Sequence, residues 1–443
     1  MPRIHRRKLL QLSGASALAA TSGGMAGILA TSRAPAFAQG TTVHWLRWND
    51  FVPTSDKVLR EQIIPECSKA LGITLNIEMI NGNDIQARTT AAIQSGTGPD
   101  VICALNNWPQ LYADSVADVS DVVDPIGKAQ GGFYNESRVV ANNGKKWLGV
   151  PWCVLGAENA YRKSWFAEAG FNKFPETWDE YRTVGKKLKA KGRPLGQTLG
   201  HSFGDPPTFW YPFLWSFGGM EVEKDGKTVV LDSKATVESV KYAVGFWKDC
   251  FDEGGLAWDD TSNNRAFLSG TISSTLNGAS IYLLAKREPD KYQTEKGTPL
   301  YQDILHGVLP KGPAGAFAYH LPMTNMLMGY SKQKEAAKKF LAWITSKPVY
   351  QAWFNSQQGY SVGATTVWEQ DPIWQKDPVM LPYRRAARAG HFPGYAGPAD
   401  QKAAEVLSKY IIIDMYAKAV QGMPAEDAVK WAAGEVKKIH AGA

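Results

Sequence analysis

The chain has 443 residues, 44% of them hydrophobic, 21% charged and 11% aromatic, with 42 Gly and 25 Pro. That composition excludes a disordered, collagen-like or coiled-coil protein, and the length suits roughly two or three domains or one large two-lobed body. A net charge of +7 would suit nucleic acid or an anionic membrane if the working protein carried it.

It does not. Residues 1–38 hold Arg3, Arg6, Arg7, Lys8 and Arg33 and no acidic residue, which leaves +2 for the remainder. The basic start runs into a Leu/Ala/Gly/Ser stretch from Leu9 to Ala30 and closes on Ala36-Phe37-Ala38, a match to a signal-peptidase site. Arg6-Arg7 before Lys8-Leu9-Leu10 resembles a twin-arginine export signal, and Gln39 in place of Cys argues against a lipid anchor. We therefore expect a periplasmic protein whose signal, residues 1–38, is cleaved near Ala38/Gln39. No later stretch reaches the roughly 18 apolar residues of a membrane span. Neither stable membrane insertion nor a nucleic-acid partner is expected.

After the cut, Thr42 to Trp48 alternates as a first strand, and Asn49 to Pro53 reads as a loop. Ser55 to Leu71 reads as a helix with Ser55 as its N-cap, Ile73 to Ile80 as a second strand, and Asp84 to Gln94 as a second helix ended by Ser95-Gly96-Thr97-Gly98-Pro99. Asp100 to Leu105 is an apolar, parallel-type strand. The alternation of strands and helices is that of an α/β sheet. Ligands of such sheets bind beyond the carboxyl ends of the strands, so the loops at Trp48-Asn49-Asp50 and Asn106-Asn107-Trp108 are the places to look. Further on, Trp147 to Pro151 reads as a strand, Trp178 to Ala190 as a helix, and Ala235–Glu253, Glu335–Thr345 and Ala425–His440 as later helices.

Catalytic and metal signatures are sparse. The seven histidines show no paired helical spacing, and Cys67, Cys103, Cys153 and Cys250 are far apart, so no metal and no cofactor is expected. The four cysteines allow three disulfide pairings or none. Gly359-Tyr360-Ser361-Val362-Gly363 fits G-x-S-x-G, with Asp377 and His391 following in hydrolase order. A secreted serine hydrolase is thus the alternative to a binding protein. It is disfavoured because the preceding residues read as a helix end and the spacing leaves no room for intervening strands. The sixteen Trp, all beyond residue 38, are the stronger cue, several of them beside Asn or Asp in expected loops. Rings that stack on the apolar face of a sugar, next to groups that bond its hydroxyls, suit a polyol. Through cation–π contacts they also suit a small cation.

Gln94-Ser95-Gly96-Thr97-Gly98-Pro99-Asp100-Val101 resembles the S-G-x-x-P-D-V segment of the extracellular solute-binding proteins of ABC importers, the group that includes maltose- and other sugar-binding members. Gly149-Val150-Pro151 with Tyr161 to Gly170 resembles their G-x-P…Y-N-K-x-x-F-x-x-A-G pattern, and Pro175-Glu176-Thr177-Trp178 their P-x-T-W helix start. Phe267-Leu268-Ser269-Gly270 with Leu276-Asn277-Gly278, and Glu335 to Leu341, resemble two further family segments. The resemblance implies an α/β, two-lobed periplasmic-binding-protein fold of type II kind. Residues 39–154 and 318–360 would form one lobe, and residues 155–317 and 361–443 the other. Crossings are expected near Cys153–Gly156, Pro313–Pro322 and Gln358–Ala364. The cleft would be lined by Trp48, Asn49, Asp50, Asn107 and Trp108 from one lobe. Asp205, Phe209, Trp210, Trp215, Asn277 and Ser280 would line it from the other, with His320 at the second crossing. The implied protein is a monomer that captures a sugar-like small molecule and delivers it to the permease subunits of an ABC importer, with no enzymatic activity.

Overall fold

In the computed structural model, which describes residues 41–388 and 390–442, nine strands form two sheets. They are β1 (Thr41–Trp48), β2 (Ile73–Ile80), β3 (Val101–Leu105), β4 (Val150–Leu155), β5 (Glu158–Arg162), β6 (Ser274–Asn277), β7 (Ile304–Gly307), β8 (Leu321–Leu327) and β9 (Ser361–Gly363). The first sheet has the order β2-β1-β3-β8-β4-β9 and the second the order β6-β5-β7. The expected export signal, residues 1–38, lies outside the described residues. No helix among them is long and apolar enough to cross a membrane.

Each sheet is the floor of one lobe. β1 and β3 pair in parallel, as the intervening helix Ile85–Ser95 requires, and Gly96 ends that helix in the left-handed conformation (φ 65°). β3 is parallel on that side only, because β8 enters antiparallel on its other side, between β3 and β4. All five residues of β3 and all seven of β8 are buried, as befits central strands covered on both faces. The second lobe is mainly helical. Trp178–Lys189, opened by a capping box of Thr177 and Glu180, packs on Lys234–Cys250, which in turn meets the C-terminal pair Ile411–Val420 and Ala425–Ala441.

Two local expectations are corrected. The first helical run begins at Pro53, not Ser55, because Asp50 accepts the Val52 N–H and the Ser55 hydroxyl donates to Asp50 instead of capping. It widens into a π turn at Leu59–Ile63 just before Pro65, whose missing N–H and bulky ring disfavour tight continuation.

The chain passes between the sheets at Gly156-Ala157, joining β4 to β5, and again between β7 and β8. The last crossing comes later than expected. β9 pairs with β4, Thr365 bridges Phe133, and Trp368 bonds Gln130, so residues 361–371 stay with the first lobe instead of opening the second. At Asp377 the chain has reached the second lobe, where the carboxylate accepts from Tyr282 at 2.7 Å and from Lys286 at 2.5 Å. All four cysteines are buried free thiols.

Candidate functional site

The first lobe presents its wall from the ends of β1 and β3. Asp50 is drawn inward, accepting from the Val52 N–H at 2.8 Å, Gln357 Nε2 at 3.2 Å and the Ser55 hydroxyl, with Arg47 Nη2 at 3.5 Å. Burial pushes its pKa up, and Arg47 opposes that shift. Turning the carboxylate inward leaves Trp48 and Phe51, edge-to-face at 5.5 Å, as the surface toward the other lobe. Asn49 is exposed. After β3, Asn106 takes a left-handed turn (φ 55°) and Asn107 is fully buried with neither amide atom bonded. The Trp108 indole N–H is likewise buried and unbonded. Neither Asn107 nor Trp108 lines the cavity between the lobes: both are buried within the first lobe, so the cleft placement expected for them is corrected.

The second lobe answers with Phe203. Its ring lies 5.1 Å from that of Trp48, its N–H donates to Asn83 at 3.1 Å, and its carbonyl accepts from Asn106 at 2.9 Å. A Cβ on Gly82 would sit 2.2 Å from the Phe203 ring, so the first lobe leaves a bare backbone to admit it. Next in the chain, helix Asp205–Ser216 begins, and its first N–H groups are capped from afar. Asp260 accepts from Gly204 at 3.2 Å and from Asp205 at 2.7 Å, a favourable use of the helix's positive end. The Asp205 carboxylate takes a 2.6 Å bond from Asn263. Burial, then the charge of Asp260, holds Asp205 well above the usual carboxylate range, and burial raises Asp260 to about 6. Ser280 donates to Asn277 at 3.0 Å, and both bond Asn264.

Between these walls is a cavity of about 30 Å³, lined by Trp48, Phe51 and Tyr360 on one side and by Phe203, Asp205, Asp260 and Asn277 on the other, with Leu155–Ala157 of the first crossing at its base. It is far smaller than a sugar ring, because Phe203 of the second lobe packs directly on Trp48 and bonds Asn106 of the first. At the crossings, the Ala157 N–H donates to His320 Nδ1 at 2.9 Å. Burial lowers the His320 pKa to about 4, so the ring is neutral and Nδ1 is free to accept. His320 thus clamps two crossings together and does not line the cavity.

The expectations for Phe209 and Trp210 are corrected. Both are 0% exposed, Phe209 packed on Trp178 and Phe213, and Trp210 on Tyr416 and Trp247 with its indole bonded to the Thr198 carbonyl at 3.1 Å. They belong to the second lobe's helical core. Trp215, five residues on, joins a separate aromatic group with Tyr211, Phe317, Tyr319, His391 and Tyr395. That group reaches the first lobe through a 2.6 Å bond from the Tyr319 hydroxyl to Asn106. Phe203, Asp260 and Tyr360 were not expected. Asp259-Asp260-Thr261-Ser262 could have signalled a cap: Asp259 bonds the Thr261 and Ser262 N–H groups and leaves Asp260 to face the cleft.

The G-x-S-x-G motif has structural reasons of its own. Ser361 donates to Gln357 at 3.3 Å, Asp377 bonds Tyr282 and Lys286, and His391 packs on Phe317, with no hydrogen bond joining the three. Gly359 adopts φ 87°, and a Cβ on Gly363 would come within 2.2 Å of Trp368.

Known proteins resemble the chain in fold and in part in sequence. The maltose-bound MalE3 of T. maritima superposes with a TM-score of 0.74 at 21% identity, over 90% of this chain and 99% of that one. A solute-binding protein of Agrobacterium radiobacter in complex with ribitol gives 0.71 at 20% identity, over 90% and 98%. Among curated proteins, the diacetylchitobiose-binding protein DasA of Streptomyces coelicolor is 31% identical over 165 residues, 35% of this chain and 36% of that protein. The matched region spans about a third to just over half of the curated relatives' length. Residues 62–382 match the family model of the bacterial extracellular solute-binding proteins, and the chain belongs to that family.

Proposed function

We propose that this protein is the substrate-binding component of an ABC importer, exported to the periplasm and freed of residues 1–38. There, as a monomer, it captures a sugar or polyol by closure of its lobes and hands it to the permease. The observation that carries the reading is the interlobe cavity, where the rings of Trp48, Phe51, Phe203 and Tyr360 meet the polar groups of Asp205, Asp260 and Asn277. Flat apolar faces beside hydrogen-bonding side chains suit a polyhydroxylated solute, and closure over it suits recognition of the loaded form. Relatives named for maltose, ribitol and diacetylchitobiose support the same class. No bond of the solute is broken.

The test is calorimetric titration of the mature chain with mono- and disaccharides and polyols. We expect saturable one-to-one binding, a raised melting temperature and recovery of the solute intact. Absence of binding across the set, or conversion of the solute, would overturn the reading.

A further inference from the structure

Two buried aspartates of this protein have an arginine beside them: Asp303 lies 2.8 Å from Arg162, and Asp50 is beside Arg47, whereas the buried Glu221 has only the Gly394 N–H. The carboxyl groups at the cavity are not. Asp205 and Asp260 line it directly. Glu158 opens β5 opposite Asn277 in the antiparallel ladder, and directly opposed residues project to the same face of a sheet. Glu158 therefore shares the face of Asn277, a cavity residue, and follows directly on Ala157 of the cavity's base, without itself lining the closed cavity. It is only 4% exposed, yet its carboxyl makes no hydrogen bond or ion pair among the described residues.

The groups acting on these three are acidic or neutral. Asp259 and Asp260 act on Asp205, and Asp259 acts on Asp260. The Tyr383 phenol feels Glu158 and Asp205, and the Tyr360 phenol feels Asp205, Asp260 and Asp50. No Lys or Arg is among the principal charges on any of the three. The start of helix Asp205–Ser216 compensates Asp260, which caps it; Asp205, in the first turn of the same helix, has beyond that only the neutral Asn263 amide, and Glu158 has no partner group at all among the described residues. Burying acids in this way is costly unless a partner arrives. The aromatic faces around them are of the kind that attract a cation.

We propose that the solute carries a positively charged nitrogen, as in an amino sugar or an amine-bearing polyol, seated against Asp205 and Glu158 with its ring on the aromatic faces. This rests on the reading of the cleft as a solute site. It predicts binding that strengthens with rising pH as Asp205 and Glu158, both held by burial well above the usual carboxylate range, give up their protons, for as long as the amine stays charged.

The experiment is titration at pH 7 with matched pairs: glucosamine against glucose and N-acetylglucosamine, galactosamine against galactose, and the glucosamine disaccharide against cellobiose. We expect an amine to bind at least tenfold tighter than its neutral counterpart. Glu158→Gln and Asp205→Asn, both near-isosteric and checked by thermal melts, should each reduce that preference. A neutral sugar binding as tightly as its amine would overturn the charged-solute proposal and leave sugar capture standing. Loss of binding in the variants without change in the amine-to-neutral ratio would also overturn it. No binding in either series would overturn both.

Discussion

Asp50 and Asp205 are both buried aspartates at the rim of the same cleft, one on each lobe, and they differ in every neighbour. Asp50 has Arg47, a backbone N–H, a serine and a glutamine, and it holds the β1 loop in shape. Asp205 has one asparagine and a second acid. The same residue type therefore builds structure on one wall and leaves chemistry open on the other. Asp50 is distinguished mostly by near neighbours, Arg47, Val52 and Ser55, with Gln357 reaching in from 307 residues away, whereas the second acid beside Asp205 lies 55 residues on and leaves no local signal.

The contrast can be broken most forcefully at Arg47. Arg47 is 1% exposed, and Arg47→Met would strand the Asp50 charge, costing about 3–5 kcal/mol in chemical denaturation. Asp205→Asn should leave stability unchanged or raise it; equal losses would erase the distinction between the walls. Next in size, Trp48→Ala should weaken solute binding by about 1–3 kcal/mol while the melting transition persists, and Trp210→Ala should instead act on folding. Unchanged affinity in Trp48→Ala would remove the first wall from the site.

Acidity sharpens the comparison further. Burial raises Glu136 of the first lobe and Glu221 of the second to about 8. Each binds its proton more tightly when folded, so its stabilising contribution is complete below about 4.5 and is lost as pH rises through 8. The melting temperature should fall between pH 5 and 8, less steeply in Glu221→Gln. His320 acts in the opposite sense. Its folded value of about 4 lies below the ordinary 6.5, so its contribution is complete above 6.5 and fades toward 4. The protection factor of the Ala157 amide, its exchange relative to a free amide at the same pH, should therefore fall on acidification toward 4, as the protonated ring stops accepting. The smallest effect is expected from Ser361→Ala, under about 1 kcal/mol for one weak hydroxyl bond, with solute affinity unaltered.

The fold was readable where periodicity is local. β1, β2 and the helices at 85–95, 178–189 and 425–441 carry their own patterns and caps. β8 was not, because Leu321–Leu327 is a short stretch interrupted by Pro322, Thr324 and Asn325 whose place between β3 and β4 depends on distant pairing. Within the site, Trp48, Asp205 and Asn277 stand at ends of elements, where chain direction alone brings them to the cleft. Phe209 and Trp210 misled because every residue of Asp205–Ser216 is buried, so the helix has no polar face to show which side is core. Phe203 was missed because its partners, Gly82, Asn83 and Asn106, belong to the other lobe.

Phe203 also bears on how much the solute must do. Its bonds to Asn83 and Asn106, and its ring against Trp48, tie the lobes together through protein groups alone. The closed arrangement therefore has a stabilising contribution that exists before any solute arrives, and binding need only supply the difference. Apparent affinity can then be tuned at residues that never touch the solute. A change at Gly82 or Asn83 would shift the resting balance between open and closed lobes, and with it the concentration at which the protein fills.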